Sequence, residues 1–165
     1  MTVKPLSAIF LGALLCAASA AWAQSADEEP EWKESEAPPP PAFDVGKLVT
    51  IEVSPNSALV YGVDPASISI SKSDGLVRYV MVASSASGAR NVMYEAIHCA
   101  TGEFKTYGRY SPDGHWTMVD QPQWIPLYGM PSKYALRFAQ AGACDGAAAP
   151  SSVQVLLSRL KSPYR

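Results

Sequence analysis

The sequence predicts an α+β fold: an antiparallel β-meander of about five to seven strands with two C-terminal helices packed on one face. Two observations carry this expectation. After residue 43, short apolar or alternating runs recur about every ten residues, divided by Gly, Asp, Asn and Ser turns. In the last third the hydrophobic period lengthens from that of a strand to that of a helix.

The strands follow in order. "KLVTIEV" and "SALVYGV" are separated by the turn signal "SPNS", "SISIS" alternates cleanly, and "KSDG" turns into "LVRYVMVAS". "SASGA" then turns into "RNVMYEAIHC", "ATGE" into "FKTYGRY", and "SPDG" into "HWTMV". In "PSKYALRFAQAG", helical spacing puts Tyr134, Ala135, Phe138 and Ala139 on one face and Lys133, Arg137 and Gln140 on the other. Pro131 suits a first turn and Gly142 a stop. Tyr134, Leu136 and Phe138 also alternate, so residues 131–141 fit a strand too; their Ala, Leu, Arg and Gln content favours helix. "PSSVQVLLSRLKSP" is clearer, with Val153, Leu156, Leu157 and Leu160 on one stripe and Ser151 or Ser152 as cap.

The amino terminus predicts export. "MTVK" carries a charge, residues 6–21 are mostly apolar, and "AWA" ends at Ala23 in a small-x-small cleavage signal. The apolar run is shorter than the roughly 20 residues of a membrane span, so residues 1–23 read as a signal peptide cut between Ala23 and Gln24. Cys16 follows Leu15 rather than a small residue, which argues against a lipid-modification site. The expected location is the periplasm, and no other segment reads as membrane-spanning.

Residues 24–42, "QSADEEPEWKESEAPPPPA", hold six acids against one lysine and little apolar matter. Such a segment is expected to be disordered, then extended through its prolines. It serves either as a spacer or as a docking arm for a basic partner, with Trp32 as anchor. Residues 43–165 form the single folded domain. Their charge is nearly balanced, which excludes the concentrated basic surface that nucleic acid requires.

"EAIHC" groups a glutamate, a histidine and a cysteine, but strand parity divides them. Met93, Glu95, Ile97 and Cys99 share one face, and Tyr94, Ala96 and His98 the other. One strand cannot converge Glu95 and His98 on a substrate. If "SASGA" closes its hairpin at residues 86 and 87, Arg78 lies across from Glu95, Val80 from Met93, Leu76 from Ile97 and Tyr79 from Tyr94. A buried charge must be paired, so Arg78 and Glu95 are expected to form a structural ion pair. A two-residue loop at Thr101 and Gly102 would set Cys99 against Phe104 and Glu95 against Gly108.

Cleavage of the signal removes Cys16. Cys99 and Cys144, left alone in an exported chain, are expected to bond to each other. A bridge closing so long a loop is worth about 4 kcal/mol in the chain-entropy model. A redox role would call for a Cys-x-x-Cys pair, and the sequence has none.

Residues 67–116, "SISISKSDGLVRYVMVASSASGARNVMYEAIHCATGEFKTYGRYSPDGHW", resemble the CNP1-like family of exported proteins of Gram-negative bacteria. The pattern is an "SI" strand, "VRY", "SGA-NV-YE", a cysteine, then an aromatic and "DG-W"; the likeness extends over about 32–160. It implies an envelope location and no activity. The family pattern has arginine before the cysteine, where this chain has His98, and "YEG" where this chain has Ala96. Both departures count against His98 as a required catalytic group.

No zinc spacing, nucleophile elbow, phosphate loop or dinucleotide fingerprint occurs, so no catalytic residue, metal or cofactor is expected. His115 follows "PDG" and reads as a surface residue. Aromatic residues concentrate in 107–134, and "VDQPQWIPLYGMPSKY" reads as an ordered loop. It packs a satellite core or walls a ligand groove with Trp124 and Tyr128, where Arg109 and Arg137, together with Lys105, attract an anion. The expectation is therefore an exported, non-enzymatic binding or accessory module for an envelope protein or ligand. The competing expectation is an envelope hydrolase with a site near residues 121–134.

Overall fold

In the computed structural model, residues 31–162 are described. The predicted signal peptide, Cys16, the cleavage site and residues 24–30 of the predicted arm lie outside them. From Trp32 onward the described chain is one compact unit.

The strands are β1 (Val49–Ile51), β2 (Leu59–Val63), β3 (Ser69–Ile70), β4 (Leu76–Ser85), β5 (Arg90–His98), β6 (Glu103–Tyr110), β7 (Trp116–Met118) and β8 (Ile125–Pro126). They form one antiparallel sheet in the order β1-β2-β4-β5-β6-β7. β2 and β3 share an edge of β4, and β7 and β8 share an edge of β6. A 3₁₀ turn, Pro65–Ser67, joins β2 to β3. Asp64 caps it by accepting from the Ala66 N–H, and Ser67 Oγ accepts from the Val80 N–H, pinning the turn to β4. β8 was not anticipated: two residues after a proline-bearing stretch carry no alternation to read.

The helical reading of residues 131–141 holds. α1 (Tyr134–Phe138) runs into a wider π-type turn, Ala139–Ala143, and α2 (Val153–Leu160) follows. Tyr134, Ala135, Phe138 and Ala139 are buried, while Lys133, Arg137 and Gln140 are exposed. Ser152 caps α2 by accepting from the Val155 N–H at 3.2 Å. Gly142 ends the first helical segment at φ 142°, where a side chain would also stand 2.7 Å from Arg159 Cβ on α2.

Both helices cover one face of the sheet. Val77, Tyr79, Met81, Met93, Ile97 and Phe104 pack there against Tyr134, Phe138, Leu156 and Leu160. The Cys99–Cys144 disulfide, with Cα atoms 5.6 Å apart, staples the chain beyond the first helical segment to the end of β5. The opposite face holds Leu76, Val80, Val82, Val92, Tyr94, Ala96 and Tyr107, and none of the described helices covers it. The amino-terminal segment does, through Ala37, Phe43 and Leu48. Phe43 meets Tyr110 edge-on at 5.0 Å. Residues 32–42, expected to be disordered and then extended through the prolines, carry no regular secondary structure; they lie in the compact unit that starts at Trp32, and Ala37 packs on the sheet. Their few apolar groups, Trp32 and Ala37, are supplemented by polar side chains with specific partners.

Strand parity in β5 is as expected, but the register is not. The hairpin closes with Ser84 opposite Arg90, leaving Ser85 to Ala89 as the connection, with Gly88 at φ 85°. Arg78 therefore faces Ala96, and Tyr79 faces Glu95. A one-residue slip moves Arg78 to the other face of the sheet. The expected Arg78–Glu95 ion pair does not form. On the other side, His98 pairs with Glu103 and Ile97 with Phe104, so the β5–β6 loop is longer than two residues. A bulge between Tyr94 and Glu95 sets Tyr94, not Glu95, against Gly108.

Candidate functional site

The densest polar constellation lies between the uncovered sheet face and residues 32–35. β4 contributes Arg78, the turn before it Asp74, β5 His98, β6 Lys105 and Tyr107, and the loop before β8 Trp124. Asp74, Arg78, His98 and Lys105 are all buried.

Two acids organise this cluster. Glu34 Oε1 accepts from the Tyr107 hydroxyl at 2.6 Å, and Oε2 accepts from Lys105 Nζ at 2.5 Å and Trp124 Nε1 at 3.2 Å. Burial pushes the Glu34 carboxyl up, but Lys105, Tyr107 and Trp124 outweigh it and hold the group below its ordinary value. Asp74 Oδ2 accepts from Arg78 Nη2 at 2.8 Å, from the Ser35 N–H at 3.0 Å and from Ser35 Oγ; Oδ1 accepts from the Leu76 N–H. Burial opposes ionisation here too, and Arg78 and Ser35 overcome it, holding Asp74 well below the usual carboxylate range. Arg78 Nη2 also donates to the Ser35 carbonyl at 3.3 Å, while its Nε has no protein partner.

An aromatic stack closes the cluster. The Trp32 indole lies on the His98 ring at 4.1 Å and donates from Nε1 to the Asp74 backbone carbonyl at 2.8 Å. Trp124 stands edge-on to Trp32 at 6.0 Å, and Lys105 Nζ sits 4.5 Å from the Trp124 ring centre. Burial lowers the His98 pKa and so favours the neutral imidazole under the indole, against the opposing charges of Glu103, Asp74 and Glu34. Its Nδ1 lies 3.2 Å from Thr101 Oγ1 in the following turn.

Glu95 occupies the opposite face. It is fully buried, and its Oε1 accepts from the Tyr134 hydroxyl at 2.6 Å and Thr106 Oγ1 at 3.0 Å. Burial raises its pKa, and the Tyr134 and Thr106 hydroxyls offset only part of the rise. Glu95 Oε2 and the Tyr79 hydroxyl, on directly opposed residues, fall short of ideal hydrogen-bond geometry but act on each other, the hydroxyl lowering the Glu95 pKa and the carboxyl adding to the rise that burial causes in that of Tyr79.

The expected groove of Trp124, Tyr128, Arg109 and Arg137 is not assembled. Trp124 belongs to the arm-covered face. Tyr128 is 68% exposed. Arg109, opposite Met93, lies on the helix side by parity. Arg137 projects from α1 and lines an open cavity of about 720 Å³ with Glu52, Gln140 and Arg159. A loop that seemed long enough to gather these residues is instead tied to β6 by β8. His115 is exposed on its turn, 3.6 Å from Asp113, and Ser111 Oγ donates to the His115 backbone carbonyl rather than to the ring. Among the described residues, no group of three or more His, Cys, Asp or Glu side chains is placed to hold a metal ion. No described helix is long and apolar enough to cross a membrane.

A family model, the CNP1-like family, matches residues 27–161. The chain belongs to the CNP1-like family. No curated protein and no solved structure matches it. The CNP1-like match starts at residue 27, so it includes Trp32, Glu34 and Ser35, and these belong with the domain rather than with a separate tail. In this CNP1-like chain, sequence reasoning missed Asp74 because "KSDG" reads as a turn, and Glu34 because its neighbours read as unstructured. The available signal was Trp32, a large apolar residue in a segment otherwise poor in them.

Proposed function

We propose that this CNP1-like protein is exported to the periplasm and acts there as a non-enzymatic binding or accessory module, working from the sheet face under residues 32–35. The observation that carries the reading is the convergence of Lys105, Tyr107 and Trp124 on a single carboxylate, that of Glu34, beside the buried Arg78–Asp74 pair. Buried cations with aromatic walls are a recognition device. The signal-like amino terminus and the Cys99–Cys144 bond support export into an oxidising compartment. The competing hydrolase reading has the Thr101–His98 pair to draw on, but Trp32 stacks on that imidazole and no described acid hydrogen-bonds it.

Fractionation by osmotic shock, with intact-mass measurement, tests the location. The expected result is a periplasmic chain beginning at Gln24 without free thiols; a cytosolic chain retaining residues 1–23 overturns export. A photo-crosslinking residue at Gln123, beside the cluster, is expected to capture envelope partners, whereas one at Gln140 on the helix side is not. Capture from Gln140 alone overturns the choice of face.

A further inference from the structure

Residues 32–35 are held on the sheet as a bound peptide is held. Among the described residues, no backbone-to-backbone hydrogen bond joins them to a strand. Every hydrogen bond they make to the sheet side involves at least one side chain: the Trp32 indole, the Glu34 carboxylate, and Ser35 with Asp74 and Arg78. Lys33, between the reading residues, is exposed. The receptor side is more elaborate than a covering strand needs. It buries an arginine, a lysine and a histidine beneath one layer of chain, where an apolar face would suffice.

We propose that this face is a binding site for acidic peptide segments that carry an aromatic residue two positions before a carboxylate, and that the chain's own Trp32-x-Glu34-Ser35 occupies it in cis. The inference rests on reading the domain as a binding module and names its ligand class. His98 and Trp124 take the aromatic ring, Lys105, Tyr107 and Trp124 take the carboxylate, and the Asp74–Arg78 pair takes the following hydroxyl and backbone. The tethered segment competes at the high effective concentration of a short linker, so an outside peptide enters only when it outbids or follows release of the arm. The docking arm expected from the sequence thus finds its basic partner first in its own sheet.

The test uses the complete mature chain and a fluorescein-labelled peptide of residues 27–37, DEEPEWKESEA. The chain carrying Trp32→Ala and Glu34→Ala is expected to bind the peptide at least tenfold more tightly than the unaltered chain. Adding Lys105→Ala, or substituting Gln for the glutamate at position 34 in the peptide, is expected to weaken that binding at least tenfold. Equal binding by altered and unaltered chains, or binding indifferent to Lys105, overturns the proposal. So does absence of binding by an altered chain that still unfolds cooperatively with its disulfide intact. Should the double variant not fold, Glu34→Gln alone carries the same comparison, since it keeps the arm's shape and removes the one charge that meets Lys105. A negative result removes the peptide ligand while leaving fractionation and capture from Gln123 to decide the broader reading independently.

Discussion

The two faces of this sheet bury acids by opposite means. On the helix face, Glu95 is enclosed by apolar groups and hydroxyls, with no described cation within salt-bridge distance and only Arg109 acting on it from further off, and its proton is held more tightly than usual. On the arm face, Asp74 and Glu34 sit against Arg78 and Lys105, and their protons are lost more easily than usual. Residue type does not decide the state of a buried carboxyl; the partner does. The covering layers differ in the same way. α1 and α2 satisfy their own backbones and offer apolar surface, whereas residues 32–35 are fastened through individual side chains.

The largest effect separates the two layers. Replacing both Cys99 and Cys144 by Ser opens a loop spanning 45 residues and is expected to cost about 4 kcal/mol of stability. Denaturant unfolding measures it. The loss falls on the helix face, so the rate at which trypsin cuts at Lys33 under native conditions should not change. Arg78→Met comes next. It strands the Asp74 carboxylate, whose side chain is 0% exposed, and is expected to cost about 3 kcal/mol, the lower end for a broken buried pair because only one layer of chain covers it. Here trypsin should cut at Lys33 faster, because Ser35 loses its hydrogen bonds from Arg78 and rests on an unpaired Asp74. If Arg78→Met left trypsin cleavage unchanged, the coupling of arm to ion pair would be wrong.

These two substitutions also mark what was legible. The disulfide, the meander and both helices follow from composition and period, which are local properties. The alternation of β5 correctly placed Glu95 and Cys99 on one face and His98 on the other. The ion pair failed because register depends on the β4–β5 connection, and a loop of Ser, Gly and Ala does not announce its length. One residue of error moved Arg78 through the sheet and replaced Glu95 with Asp74 as its partner. The contacts of residues 32–35 were illegible for another reason. Low hydrophobicity predicts disorder because it assumes that apolar burial is what orders a chain; residues 32–35 are ordered by charge and hydrogen bonds, which depend on a partner surface that composition does not reveal.

Acidity sharpens the contrast. Tyr134→Phe removes a hydroxyl that donates to Glu95 and is expected to cost about 2 kcal/mol at neutral pH. Its cost should shrink on acidification, since the hydroxyl matters most to the ionised form. Because the folded-state pKa of Glu95 is raised, the folded chain keeps a proton that the unfolded chain has released. Its contribution is therefore fully present below the ordinary glutamate value of 4.5 and is lost as pH rises above it. Glu95→Gln mimics the neutral acid and should gain on the unaltered protein as pH rises, with no gain below about pH 4. Asp74 and Glu34 act the other way: their contribution is present above the ordinary values of 3.8 and 4.5 and is lost as pH falls. The two faces thus tilt the stability profile in opposite directions. Thermal unfolding of both variants across pH 3–9 would show whether the loss above the ordinary glutamate value belongs to Glu95 on the helix face.

The smallest expected change tests how the arm is held. Trp32→Ala removes the stack on His98 and the hydrogen bond to the Asp74 carbonyl. Trp32 is 42% exposed, so the cost to global stability should be only about 1 kcal/mol. The local consequence should be larger than the global one. A segment without backbone pairing to the sheet has few contacts to share the loss, so trypsin should cut at Lys33 much faster while the midpoint of unfolding hardly moves. His98 reports the same event from the sheet side. Its pKa is lowered by burial and should return towards the ordinary histidine value once the indole is gone, which NMR titration would detect. A histidine that titrates unchanged in Trp32→Ala would mean that its burial comes from the sheet and Trp124, and that the arm does not seal this face.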